Sequence, residues 1–167
     1  MHPCSVALLT LALVKCHALT PKRVLVVGGS GRVGASTVRW IEKLAKAEQL
    51  PVELAVGGRR RASFDAAAKR LGAKGVDDIR FVQLDLDDAA SLERAVAGRS
   101  LVVHTAGPFQ QRTDPTLLKA CIDAGVPYCD VCDELELSRA AKKLTSDVPA
   151  VISCGIWPGA SALLAAR

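Results

Sequence analysis

Aromatic side chains are scarce in this chain, and their scarcity limits the partners that it can bind. Phe, Trp and Tyr together make up 4% of its 167 residues. Proteins that bind single-stranded nucleic acid stack successive bases on aromatic rings, so the composition argues against that class. The only tyrosine is Tyr128, and the residue four positions later is Cys132. The Tyr-x-x-x-Lys pair that short-chain dehydrogenases use for catalysis is therefore absent.

Acidic residues are missing from the beginning of the chain, where the first Asp or Glu is Glu42. Five of the 22 Lys and Arg residues precede Glu42, so the rest of the chain has 17 basic and 17 acidic residues. The net charge of +5 thus comes from the amino-terminal part, and the body of the protein is balanced. Without a basic stripe, binding to a nucleic-acid backbone has no support.

Cysteine is too sparse for a disulfide framework, since the chain has only six. Cys129 and Cys132 have C-x-x-C spacing, but no second pair accompanies them, so a zinc site is poorly supported. This pair also lies at the end of a predicted strand, whereas redox-active pairs gain from the start of a helix. We interpret Cys129 and Cys132 as buried small apolar residues and predict no metal site.

No apolar run reaches the roughly 20 residues that a membrane-spanning helix needs. Near the amino terminus, Val6–Val14 is a shorter apolar run, and the small residues around Cys16 and Ala18 suit a cleavage site. The residues before this run include no Lys or Arg, which is atypical of a secretory signal. Residues 1–21 are predicted to be a presequence or a disordered tail. Secretion, a plastid and the cytoplasm stay open as destinations, and we expect no membrane contact in the mature form.

The most informative part of the sequence is 24–34, where an apolar run leads directly into glycines. The run predicts a strand covered on both faces, and Gly29, Gly31 and Gly34 form G-x-G-x-x-G before a helical pattern. We expect Gly29 to allow a tight turn, Gly31 to admit a pyrophosphate and Gly34 to let helix and strand pack closely. The helix N-terminus would then bind the phosphates. The alternative is a glycine-rich turn without function.

Strand and helix patterns alternate from this motif to the end of the chain. Such alternation predicts a doubly wound parallel sheet of the Rossmann type, with residues 22–167 as one dinucleotide-binding domain. Asp114 followed by Pro115 predicts a helix start, with Asp114 as N-cap. The predicted strands are 23–27, 52–56, 79–84, 101–105, 128–131 and 150–153. The predicted helices include 32–47, 64–71 and 134–144.

The end of the second predicted strand indicates which nicotinamide cofactor is bound. An NAD site usually has Asp or Glu there, whereas this chain has Gly58, Arg59 and Arg60. A guanidinium group can bind a 2′-phosphate through two hydrogen bonds, so the sequence favours NADP(H) over NAD. The alternative is that these arginines, with Arg61, form a solvated loop.

Other candidate residues follow the third and fourth predicted strands. Asp85 is placed either to face the adenine or to cap a helix. Ala106, Gly107 and Pro108 are small or rigid enough for a cofactor to approach the backbone, although an ordinary turn is the alternative. His104 lies within an apolar strand and is predicted to be a hydrogen-bonded core histidine. No residue is assigned as a general acid or base.

In combination, these motifs resemble the NADP-binding domain of the saccharopine dehydrogenase-like oxidoreductases. The segments that carry the resemblance are 26–34, 57–59, 104–109, 120–130 and 155–161. The resemblance implies hydride transfer between NADP(H) and an amino-acid-like substrate held by a second domain, and it allows a homodimer. The contacts that it implies are the pyrophosphate with Gly29, Ser30, Gly31, Arg32 and Val33, the 2′-phosphate with Arg59, and the nicotinamide half with Ala106, Gly107 and Pro108.

The chain departs from this family pattern in two places. Family members continue into a substrate and dimerisation domain, whereas this sequence stops at Arg167, and the Asn that often follows the Pro-Gly-x-Ser turn is Ala162. A dinucleotide domain alone has nothing to orient a substrate against the nicotinamide ring. We therefore expect the cofactor half of an oxidoreductase, with a truncated fragment or a catalytically silent nucleotide-sensing or partner-binding module as the alternative.

Overall fold

The computed structural model describes residues 20–71, 79–107, 109 and 111–166. Its strands are β1 (Lys22–Val27), β2 (Val52–Gly58), β3 (Arg80–Gln83), β4 (Leu101–His104), β5 (Tyr128–Asp130) and β6 (Ala150–Val151). All six are parallel neighbours in one sheet, in the order β3-β2-β1-β4-β5-β6. This order reverses direction between β1 and β4 and confirms the predicted doubly wound fold.

Helices connect the strands and pack on both faces of the sheet. They are α1 (Arg32–Ala47), α2 (Arg61–Leu71), α3 (Ala89–Val96), α4 (Thr116–Asp123), α5 (Leu135–Lys142) and α6 (Ala160–Ala165). One apolar cluster joins the sheet to α1 and α2, and a second joins the opposite face to α3, α4 and α5. Helix α6 follows the last strand and buries none of its residues.

Strand β1 supplies the centre of both apolar clusters. Val24 and Val26 face α1 and α2, whereas Leu25 and Val27 face α3 and α4. All four are at most 5% exposed, which confirms the prediction of a strand covered on both faces. Burying each of these side chains contributes roughly 1.5–3 kcal/mol, so β1 anchors the turn that follows it.

Several element boundaries differ from the sequence-based expectation by one to three residues, and two of the differences have a visible cause. Pro115, rather than Asp114, occupies the N-cap of α4, and the carboxylate of Asp114 lies 2.6 Å from the ammonium of Lys119. Strand β6 ends two residues earlier than predicted because Ser153 has a φ of +59° and donates its N–H to the Asp130 carboxylate at 2.7 Å. Helix α3 is capped by Asp88, whose carboxylate accepts the N–H of Ser91 at 3.1 Å.

Some predictions fall outside the described residues, namely most of the presequence (residues 1–19) and the cofactor contact at Pro108. Within the described part, no helix is both long and apolar enough to cross a membrane. The same part of the chain contains no group of three His, Cys, Asp or Glu side chains suited to a metal ion.

Candidate cofactor site

An open cleft of about 470 Å³ lies at the carboxyl ends of β1, β2 and β4, where the strand order reverses. This is the position at which doubly wound sheets bind their ligands. The structure brings together at this cleft many of the residues that sequence reasoning selected. Those lining it are Ser30, Gly31, Arg59, Arg60, Asp85, Ala106 and Gly107.

The turn after β1 depends on Gly28, one residue earlier than predicted. Gly28 has a φ of +80°, and a Cβ there would lie 2.6 Å from the backbone of Ala106. Gly29 does not have a positive φ, and its missing side chain instead makes room for Val56, which a Cβ would approach to 2.8 Å. Both glycines thus belong to the turn: Gly28 has the positive φ, and Gly29 lets the turn lie against β2.

Gly31 leaves the N-terminus of α1 open toward the cleft. It is the N-cap of α1 in an extended conformation, so it has no side chain to cap the first amides, and the first turn carries no acidic residue. The amides of a first helical turn have no partner within the helix and attract anions. Arg32 and Val33 are exposed in this turn but do not line the cleft, so their contact with a pyrophosphate stays a prediction.

Gly34 brings α1 against the turn, as the sequence predicted. A Cβ at this position would collide with the carbonyl oxygen of Gly28 and lie 2.6 Å from Oγ1 of Thr105. The Thr105 hydroxyl is itself fixed, because it donates to the carbonyl oxygen of Val27 at 2.9 Å. The Gly28 oxygen belongs to the backbone and the Thr105 hydroxyl is hydrogen-bonded to the backbone, so neither atom can easily move away from an added methyl group.

We expect Gly34→Ala to lower the free energy of unfolding by about 2 kcal/mol, because the added methyl overpacks a rigid contact. Urea unfolding followed by circular dichroism measures this loss. Ser36→Ala is the matched control, since Ser36 is exposed on the same helix and alanine favours helices. A Gly34→Ala protein as stable as the control would contradict the close packing described above.

Two of the three consecutive arginines face the cleft. Arg59 and Arg60 are exposed at the end of β2 and line it. Arg61 instead begins α2, where its Nε lies 3.0 Å from Oδ1 of Asp65 and its guanidinium lies 5.3 Å from the ring of Phe64. Arg61 thus lies on a helix and not in a solvated loop, whereas Arg59 and Arg60 line the cleft.

Asp85 lines the cleft and stabilises the turn after β3. Its carboxylate accepts the N–H of Asp87 at 3.1 Å, while the helix cap is supplied by Asp88. The helix-cap alternative for Asp85 is therefore wrong. Contact between Asp85 and an adenine stays a prediction.

Sequence reasoning missed three polar residues of the cleft, which are Ser63, Thr105 and Arg112. Arg112 is half-buried, and its Nη1 lies 3.1 Å from Oδ1 of Asp87. This ion pair joins two loops that are 25 residues apart in sequence, and no local motif announces it. Arg112 consequently adds a third guanidinium to the edge of the cleft.

His104 belongs to a buried hydrogen-bond chain, as predicted for a core histidine. Its Nδ1 lies 2.9 Å from the hydroxyl of Tyr128, which donates to the carboxylate of Asp130 at 3.0 Å. Because the Tyr128 proton is directed at Asp130, Nδ1 of His104 must carry the proton of the His104–Tyr128 bond. The Asp130 carboxylate also accepts the N–H groups of Cys132 and Ser153, which holds β5 to the loop after β6.

Burial favours the neutral forms of His104 and Tyr128. It lowers the pKa of His104 to about 4, against an ordinary value of 6.5, and the attraction of Asp130 offsets this only in part. Burial also raises the pKa of Tyr128. His104 is only 5% exposed, and within the described residues its Nε2 has no hydrogen-bond partner. The geometry therefore describes a structural residue that is uncharged at neutral pH.

The lowered pKa of His104 makes stability depend on pH. The unfolded chain binds a proton at His104 as the pH falls through 6.5, whereas the folded chain does so only near 4. Stability is therefore lost as the pH falls through this window. Between about pH 7.5 and 5.5, we expect the natural protein to lose about 1 kcal/mol more than His104→Gln in urea unfolding. Equal losses in the two proteins would contradict the assignment.

The described cysteines differ in burial, and of the pair predicted to be buried only Cys132 is fully so. Cys121 and Cys132 are buried and Cys129 is half-buried, but Cys154 is exposed. Burial raises the pKa of both the Cys121 and the Cys129 thiols to about 12, so neither forms a thiolate near neutral pH. Cys154 is exposed although its N–H and its thiol both donate to the carbonyl oxygen of Asp130.

A doubly wound parallel sheet, a glycine turn leading into the first helix and a cleft at the switch point together define a dinucleotide-binding Rossmann domain. The family model described as the saccharopine dehydrogenase NADP binding domain matches residues 24–152. The chain belongs to this family, and its cofactor is NADP.

Solved structures share this fold at low sequence identity. A saccharopine dehydrogenase (L-Glu forming) from Saccharomyces cerevisiae is 23% identical with a TM-score of 0.63, over 86% of this chain and 29% of that one. Shikimate 5-dehydrogenase from Listeria monocytogenes is 16% identical with a TM-score of 0.51, over 92% and 54%. Pen from Bacillus thuringiensis is 18% identical with a TM-score of 0.52, over 66% and 37%.

The chain thus matches about a third of the length of the yeast saccharopine dehydrogenase and of Pen. No curated protein sequence matches it significantly.

Proposed function

We propose that this domain is the cofactor-binding half of an oxidoreductase that acts on a C–N or C–C bond of an amino-acid-like substrate. The observation that carries the proposal is the cleft that joins Gly31 at the N-terminus of α1 to Arg59 and Arg60. The N-terminus of α1 offers amides to a pyrophosphate, and Arg59 and Arg60 offer guanidinium groups to a 2′-phosphate. Binding NADP(H) in this orientation places the nicotinamide toward Ala106 and Gly107.

Strand register supports the spacing of the two phosphate sites. Val27 at the end of β1 pairs with Gly57 near the end of β2, so the glycine turn and the arginine pair leave adjacent strands at the same edge. Adjacent strands lie about 4.8 Å apart, and side chains as long as arginine reach across that distance. One dinucleotide can therefore contact both groups through its adenosine half.

The nicotinamide side of the cleft offers space rather than reactive groups. Ala106 and Gly107 are small, and a Cβ added to Gly107 would touch nothing closer than 3.9 Å. Among the described residues that line the cleft, the titratable ones are Asp85 and the arginines Arg59, Arg60 and Arg112. We infer that this domain binds and orients the cofactor and that a substrate domain supplies any acid or base. A homodimer stays a prediction.

Gly107→Leu tests the nicotinamide position, because the new side chain has room in the fold but fills the proposed ring site. We expect it to weaken NADPH binding by about tenfold and to leave binding of 2′,5′-ADP, which lacks the nicotinamide half, within about twofold. Calorimetric titration of both ligands measures the difference. Equal weakening of the two ligands would contradict the orientation, and so would no weakening of either.

Turnover distinguishes the cofactor half of an enzyme from a complete catalyst. The name of the yeast saccharopine dehydrogenase indicates saccharopine as the substrate to test. The chain is mixed with saccharopine and NADP, and formation of NADPH is followed by its absorbance. We expect NADP(H) binding without turnover, because orienting the substrate is a large part of the rate. Steady turnover by the chain alone would contradict the proposed division of roles.

A further inference from the structure

The cofactor cleft has two walls, which belong to opposite faces of the sheet. Helix α1 packs on the face that carries Val24 and Val26, so its N-terminus at Gly31 forms the first wall. Helices α3 and α4 pack on the other face, and the loops that lead into them from β3 and β4 form the second wall. A pyrophosphate bound at the switch point would lie between the two walls, so groups on either wall are positioned to contact it.

Arg112 supplies the positive charge of the second wall. Its side chain is 31% exposed and lines the cleft together with residues 105–107, which follow β4. Burial is the main reason that the pKa of His104 is lowered, but the charge of Arg112 lowers it further, so the guanidinium lies near the end of β4. The other described residues of the loops after β3 and β4 that line the cleft are acidic or uncharged.

The backbone of Arg112 is fixed, whereas its side chain has a partner that is open to water. Its N–H donates to the carbonyl oxygen of Phe109 at 3.1 Å, and Phe109 is buried against the ring of His104. Nη1 of Arg112 lies 3.1 Å from Oδ1 of Asp87, whose side chain is 73% exposed. An ion pair with so exposed a partner contributes little, because water solvates the carboxylate almost as well. The guanidinium can therefore leave Asp87 at small cost.

The second wall does not depend on this ion pair. The hydroxyl of Thr116 donates to the carbonyl oxygen of Leu86 at 3.0 Å, which joins the same two loops a second time. The carboxylate of Asp85 accepts the N–H of Asp87 at 3.1 Å and holds the turn after β3. Neither hydrogen bond uses the Arg112 guanidinium or the Asp87 carboxylate, so we expect the loops to keep their positions when the pair opens.

Strand order separates Arg112 from the arginines proposed for the 2′-phosphate. Arg59 and Arg60 follow β2, Arg112 follows β4, and β1 lies between these two strands. The pyrophosphate of a dinucleotide crosses the end of β1 in this fold. On the α1 side, the residues that line the cleft are Ser30 and Gly31, which carry no charge. Arg112 is therefore the cation that faces the pyrophosphate from across the cleft.

We propose that Arg112 exchanges partners when the cofactor binds: its guanidinium leaves Asp87 and binds the pyrophosphate from the wall opposite α1. The inference rests on the proposed function, because it concerns the same NADP(H) site. A guanidinium group binds phosphate oxygens through two parallel charge-assisted hydrogen bonds, which are stronger than a single contact with an exposed carboxylate. The exchange is favourable for this reason, and Asp87 becomes fully hydrated when it loses its partner.

Arg112→Gln tests the exchange by calorimetric titration of the full-length chain with NADPH, NADH and adenosine 2′-monophosphate, which lacks the pyrophosphate. We expect NADPH and NADH to weaken by the same factor, at least about tenfold, and adenosine 2′-monophosphate to stay within about twofold. Arg139→Gln is the matched control, since it removes the same charge from an ion pair with Glu136 at 2.7 Å and does not line the cleft. It should leave all three affinities within about twofold.

Asp87→Asn separates an exchange of partners from an ion pair that merely holds the wall. It removes the carboxylate that competes for Arg112, so NADPH should bind as tightly as before or up to about fivefold more tightly. Urea unfolding verifies that each variant remains folded. Weaker NADPH binding by Asp87→Asn, a loss confined to NADPH in Arg112→Gln, or equal effects of Arg112→Gln and Arg139→Gln would overturn the exchange. An unmodified chain that binds neither cofactor would instead contradict the proposed function, and the inference with it.

Discussion

Replacing Gly31 with valine is expected to remove binding of both NADPH and NADH while leaving the domain folded. Gly31 has an ordinary backbone conformation, with φ −76° and ψ 171°, which valine also adopts. A Cβ there would lie 3.2 Å from the carbonyl oxygen of Gly28, a tight contact that a shift of a few tenths of an ångström relieves. Because Gly31 lines the cleft, we expect the added carbons of valine to enter it. They would occupy the approach to the first amides of α1, where the pyrophosphate common to both cofactors is proposed to bind.

The expected loss is at least about a hundredfold in affinity for each cofactor, because charge-assisted hydrogen bonds to the pyrophosphate are lost together. Calorimetric titration gives the affinity, and urea unfolding shows that the fold persists. Ala66→Val is the control, since Ala66 is exposed on α2 and does not line the cleft. Unchanged binding by Gly31→Val would mean that the pyrophosphate does not approach this turn.

Replacing both Arg59 and Arg60 with alanine is expected to affect only the cofactor that carries a 2′-phosphate. Each guanidinium hydrogen bond to a charged group contributes about 1.5–3 kcal/mol, so NADPH affinity should fall between about tenfold and a few hundredfold. NADH lacks the phosphate and should bind nearly as before. This selectivity separates the arginine pair from Gly31, whose substitution should affect both cofactors equally.

Arg61→Ala is the matched control for the arginine pair. It removes the same charge from the next residue, but Arg61 pairs with Asp65 on α2 and does not line the cleft. It should leave NADPH affinity within about twofold, since an exposed pair of this kind contributes little. Equal losses of NADPH and NADH in the Arg59 and Arg60 double variant would contradict recognition of the 2′-phosphate, as would an equal effect of Arg61→Ala.

The parts of the site that are built from residues close together in the sequence could be predicted from it. The apolar run of β1, the glycines after it and the arginines after β2 act within short segments, and their positions follow from the alternation of strands and helices. The details of each turn were harder to predict. Gly28 rather than Gly29 takes the positive φ, because the close approach of Ala106 from the end of β4 decides which glycine must turn.

Residues brought in by distant segments could not be predicted from local patterns. Arg112 reaches the cleft through its ion pair with Asp87, and nothing within either loop signals the other. The His104 chain is an intermediate case. Tyr128 and Asp130 alternate on β5, so their shared face is readable from the sequence, but His104 joins them only through the register of β4 and β5.

The most direct test of the account is a calorimetric titration of the unmodified chain with NADPH and, separately, with NADH. The cleft predicts one site per chain that binds NADPH at least about tenfold more tightly than NADH, since the arginine pair contacts only the phosphorylated ribose. A folded chain that binds neither cofactor, or binds both with equal affinity, would contradict it.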